Sequence, residues 1–199
     1  MRTWMAAWAV GAMVSGGASV SAQEAPETWP FLTVNVRVTD YAHLSPPDLA
    51  NAQAQATDAY RAAGLGIVWL SAGPVPEPGA NAGSPSIDVR LVILPRDMAE
   101  RICGAERRSA SVMGEAHGRI AYVFYDRIER LALSYRIPVG PGLGYVIAHE
   151  VGHLVIGQNG HASAGLMRPI WNPRESRLQT FTASQVQTIR HRFTTTPAH

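Results

Sequence analysis

The sequence contains no lysine and only one cysteine. All seventeen basic residues are arginines scattered along the chain, and fifteen acidic residues leave a net charge of +2. A nearly balanced charge without a basic patch argues against nucleic acid or an acidic membrane surface as a partner. The single Cys103 cannot form an internal disulfide or, without partner thiolates, a zinc-thiolate cluster. Any metal site must therefore use nitrogen and oxygen ligands.

Hydrophobic segments long enough to span a bilayer are also lacking. Residues 1–22 combine an early arginine, an apolar run at Trp4–Val14 and the small residues Val20–Ala22, which is typical of a signal peptide cleaved after Ala22. The alternative, a membrane anchor, is disfavoured because the run is short and rich in Gly and Ser. We therefore expect residues 23–199 to be one secreted or periplasmic domain. The sequence does not indicate its oligomeric state.

Alternating and helical spacings of apolar residues predict an α/β (α+β) fold, a mixed twisted sheet backed by helices. Residues 23–157 would form the sheet and helix subdomain, which ends in an active-site helix, and residues 158–199 would form a loop-rich C-terminal part. A break is expected at Pro138–Gly142. The predicted strands are Phe31–Thr39, Leu65–Leu70, Ile87–Leu94 and Ile120–Tyr125; the predicted helices are Ser45–Gly64, Arg96–Cys103, Asp126–Tyr135, Leu143–Ile156 and Thr182–Phe193.

The stretch AHEVGHLVIGQNGHASAGLM, Ala148–Met167, holds a candidate metal site. His149 and His153 would lie about 40° apart around a helix, and Glu150 about 60° from His153, so that all three share one side. Two imidazoles so placed can bind one zinc ion, with the carboxylate beside it. The alternative is a pair of ordinary surface histidines. Apolar residues fall on the opposite side, which predicts a helix with one buried face and one face toward a cleft: Ile147, Val151 and Leu154.

His149-Glu150-Val151-Gly152-His153, followed by Gly157, His161 and Met167, resembles the metzincin clan of zinc metalloendopeptidases. The order of strands and helices before this motif is similar to the N-terminal subdomain of that clan. The resemblance implies that His149, His153 and His161 bind Zn2+, that Glu150 is the catalytic base, and that Met167 forms a turn beneath the metal. The chain departs from the clan in two ways. His161 lies eight residues after His153 instead of six, and Trp171 stands near the place of the clan's tyrosine, where we assign it no catalytic role.

The expected function is that of an exported zinc metallopeptidase. Three neutral imidazoles would leave zinc able to acidify a bound water, and Glu150 would take the proton as the water attacks a peptide carbonyl. In the resembling clan an extended substrate pairs with an edge strand, for which Ser109–Ala116 is the candidate here. Two alternatives remain: a catalytically silent zinc-binding domain that serves in binding or assembly, and a zinc hydrolase of non-peptide amides.

Several other polar side chains could have either a functional or a structural role. His117 is interpreted as a turn or solvent-facing histidine. Glu115, beside the same turn, is a weak candidate for the cleft. Arg168 is expected to anchor the turn after Met167 in preference to meeting a substrate carboxylate. Tyr145 is expected to pack.

Overall fold

The computed structural model describes residues 32–71, 86–103, 112–157, 160–175 and 178–195. The predicted signal peptide, residues 1–22, lies outside these ranges. Within them, no helix combines the length and hydrophobicity that a membrane span requires. The elements in chain order are β1 (Thr33–Asp40), α1 (Pro46–Arg61), β2 (Gly66–Leu70), β3 (Ser86–Leu94), α2 (Arg96–Cys103), β4 (Gly114–His117), β5 (Ile120–Phe124), α3 (Tyr125–Tyr135), α4 (Val139–Ile156) and α5 (Ala183–Thr195).

The five strands form one sheet in the order β2-β1-β3-β5-β4. β1 pairs in parallel with β2 and β3, β3 pairs in parallel with β5, and β4 joins the edge antiparallel to β5. The predicted mixed sheet backed by helices is confirmed. The edge strand begins only at Gly114 and extends to His117, so it differs from the extended segment expected at Ser109–Ala116. Residues 109–111 of that expected segment lie outside the described residues.

The core lies on the sheet face that carries α1 and α4. Alternate strand residues such as Val34, Leu91 and Val123 are fully buried on this face, because successive side chains of a strand point to opposite sides. The opposite face is covered by α2, with a smaller cluster of buried side chains. The sheet therefore serves as the platform on which α4, the helix of the candidate site, is packed. The smaller cluster contains Val92, Leu94, Ala99 and Phe124.

The helix predicted at Asp126–Tyr135 does end before Pro138, but the break is shorter than the predicted Pro138–Gly142, because α4 already begins at Val139 and not at Leu143. Pro138 is the N-cap and Pro141 lies in the first turn, where a backbone N–H has no partner within the helix and proline is tolerated. The glycines of this segment allow close packing on α1. A Cβ at Gly144 would lie 2.6 Å from the Ala52 carbonyl oxygen. The residues that suggested an interruption thus bring the two helices together.

As expected, α4 buries its apolar face in the core and turns the face with His149, Glu150 and His153 toward a cleft. Of the helix, His149 and Glu150 are themselves buried, at 9% and 8% exposure, although both line the cleft described below. α1, α3, α5 and the sheet all contact α4, and its polar residues face the cleft. The candidate ligands are therefore mounted on a helix held from several sides.

Polar caps fix the helices that flank α4. The Ser45 hydroxyl accepts a hydrogen bond from the Asp48 backbone N–H at 3.2 Å, which begins α1 as predicted. At α5 the predicted cap, Thr182, accepts from the Gln185 N–H at 3.4 Å, while the Gln185 side-chain oxygen accepts from the Thr182 N–H at 2.9 Å. This reciprocal pair is a capping box, which satisfies two donors at the helix start.

Candidate metal centre

Three histidines converge at the end of α4. The helix places His149 and His153 one turn apart, and His161 follows after the helix ends at Gly157. The Nε2 atom of His153 lies 3.2 Å from Nε2 of His149 and 3.1 Å from Nε2 of His161. One ligand atom from each of the three histidines lies within 4.8 Å of the others, close enough for the trio to hold one metal ion. The structure thus brings together the three histidines predicted from the sequence.

This arrangement fits a tetrahedral cation. Nitrogens bound to zinc at 2.0–2.1 Å in tetrahedral geometry lie about 3.3 Å apart, close to the spacings that join His153 to its two neighbours. The Nδ1 atom of His149 donates to the Leu166 carbonyl at 2.9 Å. A neutral imidazole carries one N–H, so Nε2 of His149 presents a lone pair to the centre. Carbonyl partners of this kind orient the histidine ligands of metal sites.

The environment keeps two of the imidazoles neutral. Burial, followed by the proximity of His161, lowers the pKa of His149, although its hydrogen bond to Leu166 opposes the shift. For His153, burial and then the nearby His149 and His161 lower the pKa to about 4. Neutral imidazoles bind a cation without first releasing a proton, so the pair is ready for a metal at neutral pH.

Glu150 lies on the same helix, between the two histidines in sequence, and is buried against the edge strand. A Cβ at Gly114 of β4 would lie only 2.6 Å from Cγ of Glu150, so only glycine leaves room for this side chain. Burial raises the pKa of the Glu150 carboxyl to about 8. A carboxyl group with a pKa near neutrality is suited to take up and return a proton.

Met167 packs directly under the helix. It is fully buried, and a Cβ at Gly152 would lie 2.5 Å from its sulfur, so the methionine occupies the space that Gly152 leaves open. The Arg168 N–H donates to the Gly165 carbonyl at 3.3 Å, which closes a turn around Met167. The predicted turn therefore lies beside the helix that carries His149 and His153. Its role as a methionine turn under a metal stays a prediction.

The segment after α4 carries the third histidine to the site. Gly157 has φ +115°, a conformation that favours glycine, and ends α4. The side-chain amide of Gln185, which also caps α5, donates to the Gly160 carbonyl at 2.9 Å and is buried. His161 is the next residue. The capping glutamine of α5 thus holds the segment that carries the third imidazole.

A cleft of about 740 Å3 opens over the three histidines and Glu150. One wall is the edge strand with the residues before it, from Val112 to His117; the other is the segment Arg168–Trp171 after the Met167 turn. Its volume falls in the range of ligand-binding clefts. Apolar side chains line both walls and the end formed by α3 and α4: Val112, Met113, Leu131, Val146, Ile170 and Trp171.

No protein-family model matches the chain, and no curated protein matches it in sequence. The chain is similar to the crystal structure of a zinc-dependent peptidase from Methanocorpusculum labreanum (strain Z). The sequence identity is 12%, the TM-score is 0.47, and the alignment covers 78% of this chain and 99% of that chain.

The other polar and aromatic side chains discussed from the sequence lie around the cleft and outside the histidine trio. His117 is exposed and hydrogen-bonds Glu115 on the same strand. Arg168 forms an ion pair with Glu175 at 2.9 Å, in keeping with the structural role expected for it. The Trp171 ring stacks on Tyr145, with centroids 4.9 Å apart, and forms part of the cleft wall.

The roles of three contributors to the site are not predicted from the sequence. Gln185 is not among the residues predicted for the site, although Thr182-x-x-Gln185 is a capping-box pattern that indicates its position at the start of α5. The Leu166 carbonyl belongs to the backbone and has no sequence signature. Tyr145, expected only to pack, also donates a hydrogen bond to this carbonyl at 3.0 Å. Its position four residues before His149, on the same helix face, was the available signal.

Proposed function

We propose that this protein is an exported zinc-dependent metallopeptidase that hydrolyses peptide bonds in peptide or protein substrates. The observation that supports this most directly is the convergence of three Nε2 atoms next to a buried carboxylate on the same helix. Three histidine ligands leave one position of a tetrahedral ion open, which is the pattern of catalytic and not of structural zinc sites. The large cleft above the trio supplies room for a substrate.

His149, His153 and His161 would bind the ion, and Glu150 would accept and donate protons. A zinc ion in this place supplies Lewis acidity, which acidifies water and polarises a carbonyl group. Glu150 would accept a proton from the attacking water and deliver it to the departing amine. Without a metal, burial raises the pKa of the Glu150 carboxyl to about 8; a bound zinc ion would favour the carboxylate, the form that accepts a proton. Gly114 keeps the Glu150 side chain at the strand edge, on the side of the cleft where a substrate would lie.

The edge strand β4 is proposed to receive the substrate backbone. One side of β4 pairs with β5, from Gly114 opposite Val123 to His117 opposite Ile120. In the sheet formed by the described strands β4 is the last, and its residues line the cleft. An extended peptide can add to such an edge through main-chain hydrogen bonds. The peptide bond to be cut would then pass in front of the histidines.

Metal analysis and turnover of three variants test the proposal. The purified protein should contain one zinc ion per chain and cleave members of a peptide library. Glu150→Gln should keep the zinc and lose about 10²-fold or more of the activity, which is the contribution of a general base. His153→Ala should lose both. Glu129→Gln is the control, because Glu129 is exposed on α3 and is not among the residues that line the cleft; it should keep both.

The results also separate the alternative function. Stoichiometric zinc without cleavage of any peptide would favour a catalytically silent zinc-binding domain. Glu150→Gln protein that cleaved peptides as fast as wild type would contradict the role of the carboxylate. Export is tested separately: the N-terminal sequence of the protein recovered outside the cytoplasm should begin at Gln23.

A further inference from the structure

Two donors from one helix meet at a single carbonyl oxygen. The Leu166 carbonyl accepts a hydrogen bond from Nδ1 of His149 at 2.9 Å and another from the hydroxyl of Tyr145 at 3.0 Å. A carbonyl oxygen has two lone pairs, so both of its acceptor sites are used. Both hydrogen bonds are buried, where an unpaired polar atom is costly. The metal ligand and the phenol therefore share one anchor.

The anchor is attached to the rest of the protein by its own backbone. The Leu166 N–H donates to the Thr180 carbonyl at 2.8 Å, and the residue is almost completely buried. On the helix side, Tyr145 and His149 are one turn apart and face the same way. The two hydrogen bonds consequently join α4 to the Met167 turn at two adjacent points, which restricts both sliding and rotation of the turn against the helix.

The Tyr145 ring is itself held in place. It stacks on the indole of Trp171 with an interplanar angle of 16°, while the His149 ring lies beyond, 6.1 Å from it between centroids. Trp171 in turn fills the space beside Gly142, where a Cβ would lie 2.9 Å from the indole. Stacking fixes the plane of the phenol and hence the direction of its hydroxyl toward Leu166.

We propose that Tyr145 is a positioning residue of the metal centre: its hydroxyl fixes the Leu166 carbonyl, and that carbonyl orients the imidazole of His149. The inference rests on the proposed metal site. It assigns Tyr145 no contact with substrate or with the reacting atoms. Without the hydroxyl, one lone pair of the carbonyl loses its partner, and the turn gains freedom to move away from His149.

The Tyr145→Phe substitution tests this, because it removes only the hydroxyl and keeps the ring that stacks on Trp171. The zinc dissociation constant, measured by competition with a chromophoric chelator, should rise about tenfold, the lower end of the loss seen when an outer partner of a metal ligand is removed. The visible absorption spectrum of the Co2+-substituted protein should change as well, since it reports the ligand geometry. In the metal-free protein, NMR of the ring nitrogens should show a weaker Nδ1–H hydrogen bond at His149.

Tyr60→Phe is the matched control. The Tyr60 hydroxyl is buried and also donates to a backbone carbonyl of α4, that of Ala148, at 3.3 Å. This carbonyl accepts no hydrogen bond from a histidine ligand among the described contacts. The control should lose thermal stability, as Tyr145→Phe does, while its zinc affinity, Co2+ spectrum and His149 signals stay those of wild type.

The outcomes separate this inference from the proposed function. If wild type binds zinc and Tyr145→Phe binds it within twofold, with an unchanged Co2+ spectrum and unchanged His149 signals, the positioning role is overturned and the metal site stands. Equal zinc losses in both Phe variants would reduce the effect to general destabilisation and overturn it too. If wild type binds no zinc, the proposed function and this role in a metal centre are both overturned.

Discussion

The side chains proposed to carry out the chemistry are polar groups whose burial is costly in this fold. Glu150 and His149 are buried in a helix that is otherwise almost entirely apolar. Desolvation disfavours their charged forms, so the pKa of Glu150 is raised and the pKa of His149 is lowered. The burial of these side chains, which the proposed function needs, therefore lowers the stability of the folded protein. Substitutions at and around these positions test this.

In the metal-free protein, Glu150→Gln should increase stability, increasingly so toward alkaline pH. The carboxyl pKa rises from 4.5 to about 8 on folding, so the folded state holds its proton more tightly and stability falls as pH rises through that range. The lowered histidine pKa values act in the opposite sense, but only below their ordinary value of 6.5. Thermal unfolding of the EDTA-treated proteins from pH 6.5 to pH 8 should show the difference in Tm growing. A difference that stayed constant would show that Glu150 does not titrate as its burial implies.

Gly114→Ala should impair turnover while the zinc stays bound. The new Cβ would lie 2.6 Å from Cγ of Glu150 and 2.7 Å from the Tyr122 carbonyl oxygen, so the carboxylate or the strand must shift. A displacement of about 1 Å can cost about 10²-fold in rate. We expect a loss of that order in kcat, with zinc content measured in parallel.

Gly118→Ala in the same hairpin is the control. Gly118 has φ +59°, and a Cβ there would have no other atom within 4 Å, so alanine strains the backbone without touching Glu150. It should lower Tm and leave kcat near the wild-type value. Equal kcat losses in both variants would assign the effect to the hairpin and not to the carboxylate.

Among the helices, α4 shows where sequence patterns suffice and where they do not. The four-residue spacing of His149 and His153 is a local property, and the helix that Gly157 ends was predicted from it. The start of α4 could not be predicted, because the prolines and glycines there indicate a break in the chain unless the neighbouring helix is known. Gly144 is needed for the approach of α1, a contact with residues far away in the sequence. The burial of α4 on several sides has the same long-range origin.

α5 offers a test of how a distant helix positions the third histidine. In Gln185→Glu, a carboxylate oxygen can still accept from the Thr182 N–H and preserve the capping box. The other oxygen, however, replaces the amide that donates to the Gly160 carbonyl, so two acceptors would face each other. The Gly160 backbone should move, and His161 with it. We expect a zinc affinity at least about tenfold weaker. Far-UV circular dichroism should show the helix content retained; an unaltered zinc affinity would contradict the link.

The complete site depends on three parts of the chain that only the fold brings together. α4 supplies two imidazoles and the carboxylate, β4 supplies the glycine that makes room for Glu150, and the segment after α4 supplies His161 and the Leu166 carbonyl. The motif and its resemblance to the metzincin clan predicted the site residues on α4 together with His161 and Met167. The contacts of Gly114 and Leu166 could not be predicted, because they depend on which backbone atoms approach the helix in three dimensions.

Because its ligands come from both α4 and the segment beyond it, a bound metal should stabilise the whole domain. Zinc at about a hundred times its dissociation constant contributes about 2.7 kcal/mol, which for a domain of this size corresponds to about 5–10 °C in Tm. EDTA should lower Tm by that amount and added zinc should restore it. His161→Ala should remove most of this effect, since the ion loses its connection to the C-terminal segment. His117→Ala is the matched control: His117 lines the same cleft but lies outside the trio, so its response to EDTA should equal that of wild type. A His161→Ala protein that kept the full zinc-dependent rise in Tm would show that the ion, if bound, does not join these two parts of the fold.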